Sequence, residues 1–283
     1  MTDKTTVLVV GTGTIGEPLI GLFSHLKDEL GIQNVLFHKR TPLEYEVAKV
    51  NSLVEKGARL VVDDDRVGRF QVLGHTPSYT MTNALDLADV VIDCTPAGNT
   101  NKAVVYQHHS ANNETVYIAQ GSEKGFGVPY AWGINDQTLL GKKEQFIQVV
   151  SCNTHAISRI IMSLTWGCVE NLIDSDFVCI RRANDASQDA GFIPSPACSK
   201  HSDTAFGTHH ARDVSDLFET TSGNALPIFS SALKVNSQYM HMIRFSMVIN
   251  ESMTIEDVKS RLSRDRYVTV THHSSTNRVF SFG

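Results

Sequence analysis

Gly11-Thr-Gly-Thr-Ile-Gly16 constrains this chain more than any other stretch. The three glycines follow a short buried-strand run, Val7-Leu-Val-Val10. They precede Ile15, Leu19, Leu22, Phe23, Leu26 and Leu30, which recur at helical spacing until Gly31. A GxGxxG run alone is weak, but between a strand and a helix it reads as a dinucleotide-binding turn. Gly11 permits the tight turn and Gly13 lets a pyrophosphate approach the backbone. Gly16 lets helix and strand pack closely, and Thr14 and Ile15 complete the loop at a helix start that offers N–H groups and positive potential.

The rest of the first half continues the alternation. Strands are predicted at residues 34–38, 59–62, 89–93 and 115–119, and a helix at 43–56, with Pro42 in its first turn and Gly57 as its stop. Residues 63–83 read as an irregular insertion. This pattern predicts an α/β Rossmann domain, a doubly wound parallel sheet with right-handed crossovers. The second half differs. A helix over 152–170, strands at 177–182, 240–249 and 267–271, and a helix over 255–262 predict an α+β domain. Its sheet should be mainly antiparallel and covered on one face. The boundary falls near Val150, giving a dinucleotide-binding domain (1–150) and a catalytic domain (151–283).

The length of 283 residues suits two such domains. A formal net charge of -5 argues against nucleic-acid or anionic-membrane partners. The N-terminal apolar run is too short for a signal-peptide core or a membrane span. Five cysteines, odd in number and widely spread without a CxxC pair, fit free thiols in the cytoplasm. The 12 histidines show no zinc-ligand spacing, so no metal site is predicted.

Two further stretches carry chemistry. An acid at the end of the second strand of such a domain binds the ribose hydroxyls of NAD, whereas here His38-Lys39-Arg40 stands in that place. Lys39 or Arg40 would suit the 2′-phosphate of NADP, leaving NADP or NAD as the cofactor. In Val149-Val-Ser-Cys-Asn-Thr154 an apolar run ends and a helix begins at the domain boundary. A thiol at that start gains from the helix dipole, which stabilises the thiolate.

Ser151-Cys-Asn-Thr154 resembles the catalytic-cysteine motif of glyceraldehyde-3-phosphate dehydrogenases, and its surroundings resemble the archaeal-type branch of that family. Gly13-Thr-Ile-Gly16 is similar to the family's glycine loop and Lys39-Arg-Thr-Pro42 to its basic segment. Asp93-Cys-Thr95-Pro96 and Gln120-Gly121-Ser-Glu-Lys124 are similar to its later cofactor-side loops. Arg181-Arg182 with Asp185 resembles its paired-arginine strand, His209-His210 with Asp213 its double-histidine loop, and Met240-His241 the strand carrying its catalytic histidine.

The resemblance implies Cys152 as nucleophile, His241 as general base and oxyanion partner, and Asn153 as oxyanion support. It implies Thr154, Arg181, Arg182, His209 and His210 as candidates for phosphate groups. The implied substrates are a phosphorylated aldehyde and inorganic phosphate, and the implied assembly is a homotetramer. Departures bear on substrate identity. His155 stands where the family has a second Thr, and the 190–200 segment lacks its Gly-Pro-Ile run. The sequence stops at Ser281-Phe-Gly283, short of the helix that in the family returns to the first domain, which would leave apolar surface there exposed. Alternatives are an acyl-phosphate reductase of the aspartate-semialdehyde dehydrogenase kind and a catalytically silent nucleotide-binding protein.

Overall fold

The computed structural model describes residues 5–111, 113–121, 123–140, 144–184, 191–237 and 239–282. The chain divides into two units, Met1–Val128 with Lys143–Val149, and Pro129–Lys142 with Val150–Gly283.

The first unit is the doubly wound α/β sheet that the glycine turn predicts. Its strands are β1 (Thr5–Val10), β2 (Ile32–His38), β3 (Arg59–Val62), β4 (Tyr79–Thr80), β5 (Val90–Asp93), β6 (Val116–Gln120) and β8 (Phe146–Val149), with β7 (Val128–Tyr130) at the sheet's end. The order is β4-β3-β2-β1-β5-β6-β8-β7, and from β4 through β8 every pairing is parallel. Side-chain alternation splits β1 between two cores. Val7 and Val9 pack with Ile20 of α1 (Gly16–His25), Val50 and Leu53 of α2 (Val47–Glu55), and Phe70 of α3 (Val67–Val72). Leu8 and Val10 pack on the other face with Ala84 and Leu85 of α4 (Met81–Leu87) and with Tyr106 and Tyr117. Both faces of the strand are therefore dry, as a parallel sheet requires.

Two stretches depart from the sequence reading. The supposed insertion at 63–83 carries α3, β4 and the start of α4, with Phe70 buried as its anchor. A six-residue helix and a two-residue strand are too short for a periodicity count to find them. Residues 98–110 form one helical run, α5 (Gly98–Asn101), a π-helical turn (Lys102–Tyr106) and α6 (Gln107–Ser110), which the sequence reading passed over.

The second unit holds a four-stranded mixed sheet of order β10-β11-β9-β12. It is built from β9 (Leu172–Arg181), β10 (Ala197–Cys198), β11 (Phe229–Lys234) and β12 (Met242–Ile249). Two of its three pairings are antiparallel, and β9–β11 is parallel. Phe177, Cys179, Ala232 and Phe245 face Ile157 and Ile161 of α7 (Cys152–Leu164) and Val214 and Phe218 of α8 (His209–Ser222). The helix expected over 152–170 stops at Leu164, because Trp166 (φ 55°) and Gly167 (φ 81°) turn left-handed. The histidine pair expected in a loop opens α8 instead. No strand forms at 267–271, where Tyr267 lies between guanidinium groups and accepts a bond from Trp132 Nε1 at 2.7 Å. The helix α9 (Ile255–Arg264) begins with a reciprocal Thr254–Asp257 capping box, and α10 (Thr276–Phe282) follows it.

Candidate active site

In the first unit the strand order reverses between β1 and β5, so the loops after them diverge and leave a crevice at the strands' C-terminal ends. A cavity of about 740 Å³ lies there. Of the predicted cofactor residues, Gly11, Gly13, Lys39, Arg40, Thr95 and Pro96 line it, whereas Thr14, Ile15, Gly16, Gln120 and Gly121 do not. Each glycine of the turn has its own constraint. Gly11 sits at φ 98°, a Cβ on Gly16 would stand 2.0 Å from the Gly11 carbonyl oxygen, and a Cβ on Gly13 would meet nothing within 4 Å. The first and third glycines are fixed by the fold, and the second faces space.

The opposite wall is organised by Asp93, buried at the end of β5. Its carboxylate accepts from Thr95 N (2.8 Å), Thr95 Oγ1 (2.6 Å), Asn101 Nδ2 (2.7 Å) and Tyr106 Oη (2.7 Å). This ties the Thr95–Pro96 loop to the π-helical turn. Burial and the Asp93 charge push the neighbouring Cys94 thiol up to about 12.

The basic segment divides its labour. Lys39 is buried in an ion pair with Glu46, which also accepts from Lys49 at 3.0 Å, and Lys49 reaches Glu17 at 3.2 Å. His38 pairs with Asp63 at 2.9 Å, and that imidazole is the main cause holding the Asp63 carboxyl below its usual range. Arg40 is exposed and lines the cavity. Glu46 and Asp63 also line it and were missed in the sequence, because neither occupies the expected position at the end of β2.

In the second unit Cys152 is the first residue of α7 and is exposed. Ser151 caps the helix, accepting from Thr154 N at 3.3 Å and pairing with Thr154 Oγ1 at 2.9 Å. Thr154 is fully buried and its hydroxyl serves this cap, and Asn153 is buried beside it. His155 follows, its pKa lowered chiefly by burial. Cys179, on the inner face of β9, lies close enough to Cys152 and Arg181 to feel both, and burial pushes its thiol up to about 11.

Arg181 ends β9 and shares its surroundings with the start of α8 and with His241. His209 is exposed, whereas His210 is 2% exposed, with ring centroids 4.0 Å apart. Ser230 of β11 stands in for a capping side chain at this helix start, accepting from Ala211 N at 3.0 Å. Burial first, then the charges of His209, Arg181 and His241, push the His210 pKa down to about 3. Protonating the buried ring places an unsolvated charge beside other cations, so stability linked to it is complete above pH about 6.5 and declines as pH falls toward 3. A His210→Gln variant should lose less stability than the parent between pH 6.5 and pH 4, the parent's excess slope approaching about 1.4 kcal/mol per pH unit. Identical pH dependence in chemical denaturation would remove His210 from this account.

His241 precedes β12, after Met240 held at φ 47°, a conformation uncommon for a non-glycine residue. The Arg182 backbone N–H donates to His241 Nδ1 at 3.1 Å. With Nδ1 accepting, the neutral ring carries its proton on Nε2. The structure thus brings Cys152, Arg181, Arg182, His209, His210 and His241 into one unit, at the starts of two helices, the end of one strand and the approach to another. Asp185 and Ser122 lie outside the described residues. Among the described residues no group of three or more metal-ligating side chains is placed to hold an ion, and no helix is long and apolar enough to cross a membrane.

No family model matches the chain. It is similar to the glyceraldehyde-3-phosphate dehydrogenase of Methanocaldococcus jannaschii, 27% identical over 295 residues that cover 98% of this chain and 78% of that protein. The corresponding protein of Archaeoglobus fulgidus is 27% identical over 292 residues, covering 99% and 78%. That of Methanococcoides burtonii is 27% identical over 282 residues, covering 94% and 74%. Among solved structures, a probable aspartate-semialdehyde dehydrogenase from Pseudomonas aeruginosa superposes with a TM-score of 0.62 at 11% identity, covering 93% of this chain and 80% of that one, a likeness of fold. The resemblance carried by the cysteine motif thus extends over nearly the whole chain, in line with the archaeal-type branch.

Proposed function

We propose that this chain catalyses the NAD(P)-dependent, phosphorylating oxidation of glyceraldehyde 3-phosphate or a close phosphorylated aldehyde, the activity for which its archaeal relatives are named. The first unit takes the dinucleotide and the second performs the covalent chemistry. The observation that carries this reading is the gathering in the second unit of a thiol at a helix start, an imidazole with a defined proton, and an arginine–histidine group.

The Cys152 thiolate adds to the aldehyde carbon, and the carbonyl electrons move to oxygen as the C–S bond forms. His241 Nε2–H donates to that oxygen and stabilises its charge. Re-formation of the C=O bond then expels hydride from the same carbon, so this step needs no base from a ring whose Nδ1 is already accepting. The nicotinamide, when bound, supplies the hydride acceptor. Cys152 is left as a thioester. Inorganic phosphate attacks its carbonyl carbon, the C–S bond breaks, and the thiolate is regenerated. This reading narrows His241 from base to oxyanion donor. Arg181, Arg182 and His209 hold phosphate groups, the guanidinium fork suiting their oxygens.

Supplying both cofactors, inorganic phosphate and either glyceraldehyde 3-phosphate or unphosphorylated glyceraldehyde tests the reading. Phosphate-dependent reduction of cofactor is expected with the first aldehyde and little with the second. Turnover of aspartate semialdehyde in its place would transfer the chain to the acyl-phosphate reductases. Dinucleotide binding without turnover of any aldehyde would leave the silent nucleotide-binding protein.

Cofactor choice follows from the divided basic segment. Arg40→Ala should weaken NADP by roughly 1.5–3 kcal/mol and leave NAD nearly unchanged, since one charge-assisted phosphate contact is lost. Lys39→Ala should lower thermal stability instead, because it removes one partner of the half-buried Glu46. Equal weakening of both dinucleotides by Arg40→Ala would remove that residue from the 2′-phosphate.

Assembly into a homo-oligomer, a tetramer by resemblance, is part of the same reading. It is supported by the outer face of the second sheet, where Met242 and Val248 are exposed beside Arg244 and Ser246. A cytoplasmic location fits the five free cysteines.

A further inference from the structure

The second unit has a hollow that the proposed chemistry does not use. It lies at the C-terminal end of α7, away from the end that carries Cys152, and its volume is about 370 Å³, within the range of small-molecule sites. Arg159, Arg261, Arg264 and Arg266 line it against one carboxylate, Asp265, in a chain whose formal net charge is -5.

Two of these arginines are accounted for by the fold. Arg159 Nε donates to Asp265 at 2.7 Å, and Ser163 Oγ donates to the same carboxylate at 2.5 Å. Arg261 donates to the Leu164 carbonyl at the end of α7 and to Glu251 at 2.5 Å, as a last-turn cation does at a helix C-terminus. Arg264 ends α9. Arg266 lies beyond it. Both are exposed, and neither has a carboxylate partner among the described residues.

Aromatic rings accompany these cations. Tyr267 has the Arg159 guanidinium at 5.0 Å and that of Arg266 at 5.1 Å from its ring centroid, which orients the Arg266 fork in advance of any ligand. Trp166 lines the same hollow with its side chain largely in solvent, 56% exposed, and Arg261 at 5.8 Å. A carboxylate ligand would need one fork and no ring. Two guanidinium groups without a carboxylate partner among the described residues, beside a largely exposed indole, suit a dianion joined to a planar group.

We propose that this hollow binds a nucleoside monophosphate, its phosphate held by Arg264 and Arg266 and its base laid against Trp166. The site is separate from the dinucleotide cavity of the first unit, since the two share no residue.

Calorimetric titration of the full chain, with NADP at saturation to fill the first unit, tests this with AMP, ribose 5-phosphate, adenosine and inorganic phosphate as probes. AMP should bind more tightly than ribose 5-phosphate or inorganic phosphate, and adenosine should give no heat. The R264A/R266A double variant should weaken AMP at least about tenfold, as expected for lost charge-assisted contacts. Trp166→Leu should bring AMP down to the affinity of ribose 5-phosphate without changing the latter. Both arginines are exposed and neither pairs with a carboxylate among the described residues, so a melting temperature close to the parent's is expected and would certify the fold. Loss of the AMP signal under saturating NADP, unchanged affinity in the double variant, or phosphate binding as tightly as AMP would each overturn the proposal. Absence of dehydrogenase turnover would bear on the proposed function alone and leave this titration interpretable.

Discussion

Cys152→Ser should lose turnover of the phosphorylated aldehyde by on the order of 10⁴–10⁶-fold, the scale on which removal of a covalent nucleophile registers. Cofactor affinity should remain, because the dinucleotide cavity is lined only by residues of the first unit. The same residue should be the first of the five cysteines to react with iodoacetamide, one equivalent sufficing for inactivation. Cys94 and Cys179 are held as thiols by burial, pushed up to about 12 and about 11. Competition therefore comes only from the exposed Cys168 and Cys198, neither of which opens a long helix as Cys152 does. Peptide mapping of the alkylated protein reads the order directly. Retained turnover in Cys152→Ala, or inactivation that tracks another cysteine, would end the covalent mechanism.

The legibility of this fold in its sequence varied with local physics. The strands β1 and β3 were found because a strand buried on both faces is a short continuous apolar run, and β2, β5 and β6 because short apolar runs there are bounded by polar turn residues. α7 was placed correctly at its start, where Ser151 caps, and too long at its end. Gly167 was readable as a stop, but Trp166 at positive φ was not, since a tryptophan carries no local preference for that conformation. α8 went unseen although Gly223 closes it in the ordinary left-handed way. The N-cap Thr208 turns its hydroxyl to Ser230 rather than back to the helix, and Ser230, a residue of a distant strand, accepts the Ala211 N–H in its place. No local window contains that information.

The site divides the same way. Gly11, Gly13 and Gly16 could be assigned separate roles from the strand–turn–helix context alone, and the contact distances separate them again. Lys39 looked equivalent to Arg40 in the sequence. Only the packing of Glu46 against it turns Lys39 into a structural charge and leaves Arg40 at the cavity. His209 and His210 likewise read as a pair, yet helix geometry sends one outward and buries the other close to Arg181 and His241, where burial and those charges hold it neutral. Charges that differ only in their partners are invisible to a motif.

His241→Ala should lower kcat by roughly 10²–10³-fold with a small change in KM, the signature of a lost oxyanion donor that acts mainly in the transition state. The choice of replacement separates donor from base. Because the Arg182 N–H already donates to Nδ1, the neutral ring offers only Nε2–H toward the substrate. A glutamine amide can donate a similar bond but cannot accept a proton near neutral pH, so His241→Gln should recover a substantial part of what alanine loses. A general base would show the opposite pattern, with glutamine as inactive as alanine and the parent's rate falling with pH as an imidazole protonates. Removing the bond that sets the tautomer would take proline at Arg182, which would also delete a side chain assigned to phosphate. The position of Met240 offers a substitute: Met240→Gly relaxes the positive-φ residue before His241 and should loosen the ring's placement, reducing kcat while sparing cofactor binding. Equal inactivity of the alanine and glutamine variants, together with an imidazole titration in the parent's rate, would return His241 to the role of base.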